Sequence, residues 1–219
     1  MLTVDDFDAA IFDLDGTLID SNRVWEKIDR KYMQQHGKYL SDREIKRMAS
    51  MTYEECAEYI KSKGVEASVE ELRSEFNKMA VYEYRNNIFL KDNAAELLTY
   101  LRAKGKRLAI ATASPRELYE PVLRHNNVYS YFDVIVTTDE AGRSKDYPDV
   151  YLLAASKLGV SPDSCAVFED ILKGIISARD AGMMTVGVYD RYSEEDIISM
   201  RDTADRFVMD LAEMMMVNS

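Results

Sequence analysis

Short apolar runs alternate with helix-length amphipathic stretches along most of this chain. Strand-like runs end near Phe12 and occupy Arg107–Thr112, Phe132–Thr137, Ala166–Phe168 and Met184–Val188, with a weaker one at Arg206–Val208. Helical patterns separate them at Asp92–Lys104, Pro115–Asn126, Tyr147–Leu158 and Ile171–Ala181. Gly105, Gly159 and Gly182 stand where those helices should stop. This alternation predicts an α/β domain on a doubly wound parallel sheet. The rhythm breaks from about Ser21 to Asn87, which carries only helical candidates: Val24–His36, Asp42–Met51, Tyr53–Lys63 and Val69–Arg85. The expected organisation is a core domain of residues 1–18 and 88–219, with residues 19–87 inserted as an all-helical subdomain.

Composition narrows the partners. The 219 residues suffice for one α/β domain plus an insertion, and 47% hydrophobic content excludes wholesale disorder. A formal net charge of -11 argues against nucleic acid or an anionic membrane as the main partner. It does not exclude a small anionic substrate, because a local lysine or a metal can reverse the field inside one cleft. The two cysteines, Cys56 and Cys165, are far apart and have no metal-ligand spacing. The first residues show no basic leader and no long apolar stretch, so the expectation is a cytoplasmic protein without a membrane span; a monomer is expected alongside. The run Met214-Met215-Met216 is read as core packing.

The chemistry sits at strand ends. Ala9-Ala10-Ile11-Phe12 reads as a buried strand and leads straight into Asp13-Leu14-Asp15-Gly16-Thr17. An Asp-Gly turn after a strand is common, but two carboxylates here lie where open α/β sheets bind ligands. Strand alternation would send both into one pocket, where like charges need a cation or a shared proton. The second strand runs into Thr112-Ala113-Ser114, with Pro115 opening the next helix. A hydroxyl and free N–H groups at a helix start suit a phosphate, although Ser114 could simply cap the helix. Lys145 follows the third strand, and Glu169-Asp170 end the fourth. Carboxylates, a hydroxyl and a cation therefore meet at one sheet edge.

In this order, Asp13-Leu14-Asp15-Gly16-Thr17, Thr112, Lys145 and Glu169-Asp170 resemble the four motifs of the haloacid dehalogenase-like hydrolases. The helical stretch after the first motif resembles that family's cap of the first type. The likeness implies a Rossmann-like core with a helical cap. It also implies a Mg²⁺-dependent phosphatase acting on a small phosphorylated metabolite. By this resemblance Asp13 is the nucleophile that becomes an aspartyl-phosphate, and Asp15 is the general acid and base. Thr112, Ala113 and Lys145 would hold the phosphoryl group. Asp13, Asp170, the Asp15 carbonyl and, through water, Glu169 would hold Mg²⁺, which hard oxygen donors suit. One departure is that Lys145 is followed by Asp146 instead of the usual Pro, which leaves Lys173 as a reserve anchor.

Asp15 favours phosphoryl transfer over dehalogenation, which does not need an acid two residues after the nucleophile. A sugar phosphomutase is the nearest alternative. That branch carries a cap His where Trp25 stands here, and its cap loop is not evident around Met48-Ala49-Ser50-Met51-Thr52. Arg23, Trp25, Arg47 and Tyr53 are the cap candidates for substrate specificity, with a helix-core role as the other reading of Trp25. A receiver-like phospho-Asp signalling domain would need its phosphorylated Asp on a middle strand and would leave the insertion unexplained. A metal-dependent glycosyltransferase would carry its Asp-x-Asp motif in mid-chain.

Overall fold

The computed structural model describes residues 2–48, 51 and 53–216. The chain resolves into two compact units, Met1–Asp20 with Phe89–Ser219, and Ser21–Ile88.

The second unit consists of helices α1 (Val24–Gln35), α2 (Asp42–Met48), α3 (Tyr53–Ser62) and α4 (Val69–Asn86). Helix α2 is described over Asp42–Met48, and Met51, the last residue of the expected helix, is not helical. Two reciprocal caps start helices here. Ser68 and Glu71 exchange side-chain and backbone hydrogen bonds at the head of α4, and Ser41 and Glu44 do so at α2. Helices α1 and α4 pack through buried Ile28, Tyr32, Leu72 and Phe76, with Tyr32 edge-on to Phe76 at 5.3 Å.

Asp29 is buried in the same unit. Burial pushes its carboxyl up to about 7, with Glu26 adding to the effect and Arg30 opposing it. Its folded value thus lies above the ordinary 3.8. Below about pH 4 both states hold the proton; above it the unfolded chain ionises first, so stability falls as pH rises towards 7. Asn cannot ionise. Asp29→Asn should therefore match the parent's melting temperature near pH 4 and exceed it by at least about 2–4 °C near pH 8. Superimposable melting curves near pH 8 would contradict this.

The first unit holds β1 (Ala9–Phe12), α5 (Ala94–Ala103), β2 (Arg107–Thr112), α6 (Arg116–His125), β3 (Val134–Thr137) and α7 (Thr138–Ala141). It continues with α8 (Asp149–Leu158), β4 (Cys165–Glu169), α9 (Leu172–Asp180), β5 (Met184–Val188), α10 (Ile197–Thr203) and β6 (Arg206–Val208). The strands form one parallel sheet in the order β3-β2-β1-β4-β5-β6, the α/β architecture expected from the alternating pattern. All four β1 residues are buried, and Phe12 lies level with Ile110 of β2 and Phe168 of β4. Strand order reverses at β1, the switch point where such sheets open a ligand crevice beyond the strands' carboxyl ends.

Three local readings change. Strand β3 starts at Val134, because Asp133 turns its carboxylate to the Leu108 N–H at 2.9 Å and to Arg102 at 2.8 and 3.0 Å. The short helix α7 has no apolar signature; it forms under the Thr137 hydroxyl, which accepts the Glu140 N–H. Of the methionine run, Met214 is buried but Met216 is 64% exposed, so the run is not core packing throughout. Among the described residues, no helix is long and apolar enough to cross a membrane.

Candidate active site

Asp13 is the first residue beyond β1, still in register with β4 through its N–H to the Phe168 carbonyl at 2.9 Å. It is buried at the crevice. Strand β1 ends at Phe12, and Asp15, two residues beyond Asp13, stays near enough for its charge to raise the Asp13 carboxyl. Gly16 adopts φ +88°, a left-handed conformation that a side chain would strain, and its N–H bonds Ile19 across the turn. Lys91 fastens this turn from below: its ammonium donates to the carbonyls of Gly16 and Tyr189, both at 2.6 Å, and to Asp190 at 3.1 Å. Asp15 is left half-buried beside the cluster formed by Asp13, not within it.

That cluster is Asp13, Glu169 and Asp170, all buried, each turning a carboxylate oxygen to within 4.8 Å of the others. Lys145 donates to Asp13 Oδ1 and, at 2.6 Å, to Glu169 Oε1. The same Glu169 oxygen accepts the Tyr151 hydroxyl at 2.7 Å, and Oε2 accepts the Ile171 N–H at 3.4 Å. Asp170 accepts the buried Thr17 hydroxyl at 3.1 Å. Burial drives the Asp13 carboxyl well above its ordinary value; Lys145 opposes this, and Glu169, Asp170 and Asp15 reinforce it. Burial, then Glu169 and Asp190, push Asp170 up to about 7. Burial works against the charge of Lys145, yet Asp13 and Glu169 outweigh it, so its ammonium titrates above the ordinary range. Three acids facing one ammonium leave the cluster short of positive charge.

Thr112 ends β2 fully buried, and its hydroxyl oxygen accepts the Ser114 N–H at 2.9 Å. The Ser114 hydroxyl donates to Asp15 Oδ2 at 2.6 Å. The reading of Ser114 as a helix cap fails: the N-cap of α6 is Pro115, with no side-chain cap bond. Exposed Ala113 follows Thr112 directly. Lys173, the reserve anchor, is exposed and pairs with Asp146 at 2.9 Å, away from the cluster. Asp146, in the place of the usual Pro, also accepts from Ser144 at 3.0 Å.

The cap candidates belong to the helical unit. Arg23 is exposed at the N-cap of α1, and Trp25 in its first turn is 38% exposed, so Trp25 is not a helix-core aromatic. Arg47 lies over the Tyr59 ring at 5.2 Å. Tyr53 opens α3, but its side chain, like residues 49, 50 and 52 of the loop considered above, lies outside the described residues.

Sequence reasoning missed Tyr151, Gly174, Thr17, Lys91 and the partner of Ser114. Tyr151 carried a usable signal, an aromatic on the buried face of α8 six residues beyond Lys145. Gly174 lies so close to the cluster that a Cβ there would sit 2.6 Å from Glu169 Cδ and 2.8 Å from the Tyr151 hydroxyl.

Comparison with known proteins adds an independent line. A family model described as haloacid dehalogenase-like hydrolase matches residues 10–188. Validoxylamine A 7'-phosphate phosphatase of Streptomyces hygroscopicus subsp. limoneus is 31% identical over 208 residues, covering 94% of this chain and 95% of the relative. Phosphorylated carbohydrates phosphatase of Thermotoga maritima is 31% identical over 182 residues, covering 80% and 82%. The solved structure of a proposed beta-phosphoglucomutase from Thermotoga maritima superposes with a TM-score of 0.85 at 25% identity, covering 94% and 96%.

Proposed function

The chain belongs to the haloacid dehalogenase-like hydrolases and is a phosphoric monoester hydrolase, and we propose that it releases phosphate from a small phosphorylated metabolite through an aspartyl-phosphate on Asp13, with Mg²⁺ as cofactor. The observation that carries this reading is the buried Asp13–Lys145–Glu169–Asp170 cluster at the sheet's carboxyl edge, with Asp15 beside it.

Asp13 attacks phosphorus as its P–O bond to the leaving oxygen breaks, and Asp15 protonates that oxygen. Water then attacks the aspartyl-phosphate and Asp15 takes its proton, which restores both carboxyls. Lys145 opposes protonation of Asp13 and, with Thr112 and the Ala113 N–H, holds the phosphoryl oxygens. The Thr112 oxygen accepts the Ser114 N–H, which leaves its own proton to donate to a phosphoryl oxygen. Most catalysis in phosphoryl transfer is positioning and charge stabilisation, and these groups provide both.

The donor set fits Mg²⁺: hard carboxylate oxygens, no His or Cys among them, and an excess of negative charge. Asp13, Asp170 and the Asp15 carbonyl would hold the ion. Glu169, already engaged by Lys145, Tyr151 and the Ile171 N–H, would reach it only through water. When bound, Mg²⁺ stabilises the charge that builds on the phosphoryl oxygens. The reading is tested by phosphate release from p-nitrophenyl phosphate, which should require Mg²⁺ and stop with a chelator; turnover indifferent to both would overturn it.

The two acidic neighbours should separate in a Mg²⁺ titration of that activity. Glu169→Gln alters a group behind the ligands, a change typically costing roughly 10–100-fold in metal affinity, and Asp170→Asn should cost more. The opposite order would reverse the assignment within the pair.

A phosphomutase is the second reading, favoured by the Thermotoga maritima structure. A mutase must shield its phospho-enzyme from water while the sugar turns over, and Trp25 in place of a cap His speaks against that. Incubation with β-glucose 1-phosphate and a trace of its 1,6-bisphosphate decides: free phosphate supports hydrolysis, glucose 6-phosphate supports the mutase.

A further inference from the structure

We propose that Tyr151 is a positioning residue: its hydroxyl, set into the gap left by Gly174, seats the Glu169 carboxylate and through it aims the Lys145 ammonium at Asp13, a role in turnover that rests on the phosphatase reading above. The tyrosine ring is locked before its hydroxyl does anything. Tyr151 stands on α8, fully buried among Ile11, Val136, Val150 and Val167. Phenylalanine would fill the same apolar space, and a hydroxyl taken out of water is costly unless it is bonded. The Tyr151 hydroxyl spends its proton on Glu169 Oε1 at 2.7 Å.

Glu169 ends β4, and its carboxylate is held on several sides. Oε1 accepts both Tyr151 and, at 2.6 Å, Lys145, while Oε2 accepts the Ile171 N–H at 3.4 Å. Gly174, the third residue of α9, closes the seat from behind. A Cβ there would lie 2.6 Å from Glu169 Cδ, 2.8 Å from its Oε1 and 2.8 Å from the Tyr151 hydroxyl, so the seat admits the carboxylate only because this residue has no side chain. Lys145 itself sits on a turn before α8, and a lysine stem is flexible unless its ammonium is held. Its Nζ lies over the Tyr151 ring at 5.8 Å and bonds Glu169 and Asp13 together. One tyrosine therefore meets the lysine through its ring face and fixes the lysine's second anchor through its hydroxyl. Without that hydroxyl the ammonium keeps its charge and loses its direction.

Two readouts test this, one of them independent of turnover. With no metal added, the Lys145 ammonium is followed by ¹⁵N NMR, its resonance assigned as the one that Lys145→Arg lacks. It should shift and broaden in Tyr151→Phe relative to the parent. In Mg²⁺-supported hydrolysis of p-nitrophenyl phosphate, Tyr151→Phe should lower kcat roughly 10–100-fold, the scale of a misplaced catalytic group, and move KM by less than about threefold. Gly174→Ala presses on the same carboxylate and should reproduce both changes. The double variant should then be no slower than the slower single one, whereas independent effects would multiply. Tyr151→Phe alone decides where Gly174→Ala does not fold. A hydroxyl that serves only stability would lower the melting temperature and leave the resonance and kcat in place, which would overturn the positioning role. A moved resonance with kcat unchanged would break the link from the seat to the chemistry. A parent that releases no phosphate would sink the phosphatase reading instead, and the resonance would still decide whether Tyr151 places Lys145.

Discussion

Replacement of Asp13 by Asn should abolish turnover and leave the protein folded. The loss should be on the order of 10³-fold or more, as for the removal of other covalent nucleophiles. The amide keeps the size of the side chain but can neither attack phosphorus nor ligate a cation as a carboxylate does. Folding should survive because Lys145 retains Glu169 Oε1 at 2.6 Å, so its buried ammonium is not orphaned. Burial raises the cost of the Asp13 charge in the parent, and the neutral amide escapes that cost. The measurement is phosphate release from p-nitrophenyl phosphate at saturating Mg²⁺, with circular dichroism melts alongside. Activity within tenfold of the parent would place the nucleophile elsewhere.

The parts of this molecule that were legible in the sequence are those written locally. A four-residue apolar strand followed by Asp13, and a five-residue one that ends in Glu169 and is followed by Asp170, carry their positions in the pattern itself. So do the helix stops at Gly105, Gly159 and Gly182. Contacts set by topology were not legible. Ser114 meets Asp15 across 99 residues, and Thr17 meets Asp170 across 153, because β2 and β4 flank β1 in the sheet. No periodicity encodes that adjacency. Tyr151 was hidden by its ordinary appearance. An aromatic on a helix face reads as core, and it is core, yet its hydroxyl lands on Glu169. Lys91 is one of 28 Lys and Arg residues, and no local pattern sets it apart as the one that fastens the Gly16 turn.

Lys145→Met should be the most destabilising single change in the core unit, and it should also be inactive. Lys145 is 8% exposed and bonds two buried carboxylates, Asp13 and Glu169. Methionine fills the same space but leaves those acids facing each other without a cation. Breaking a buried ion pair from one side typically costs about 3–5 kcal/mol. With a chelator present, so that no metal substitutes for the ammonium, the melting temperature should fall by roughly 6–20 °C, taking about 2–4 °C per kcal/mol in a chain of this size. The activity loss has a separate cause, since Asp13 loses the charge that opposes its protonation and the phosphoryl oxygens lose a donor. A second substitution tells the two effects apart. Adding Glu169→Gln to Lys145→Met removes one of the uncompensated acids and keeps an acceptor for Tyr151. The double variant should regain at least half of the lost melting temperature and none of the activity. A single variant that melts with the parent would mean that water reaches Asp13 and Glu169 freely. A double variant that melts no higher than the single one would mean that packing around the lysine stem, and not the stranded charge, sets the stability of the site.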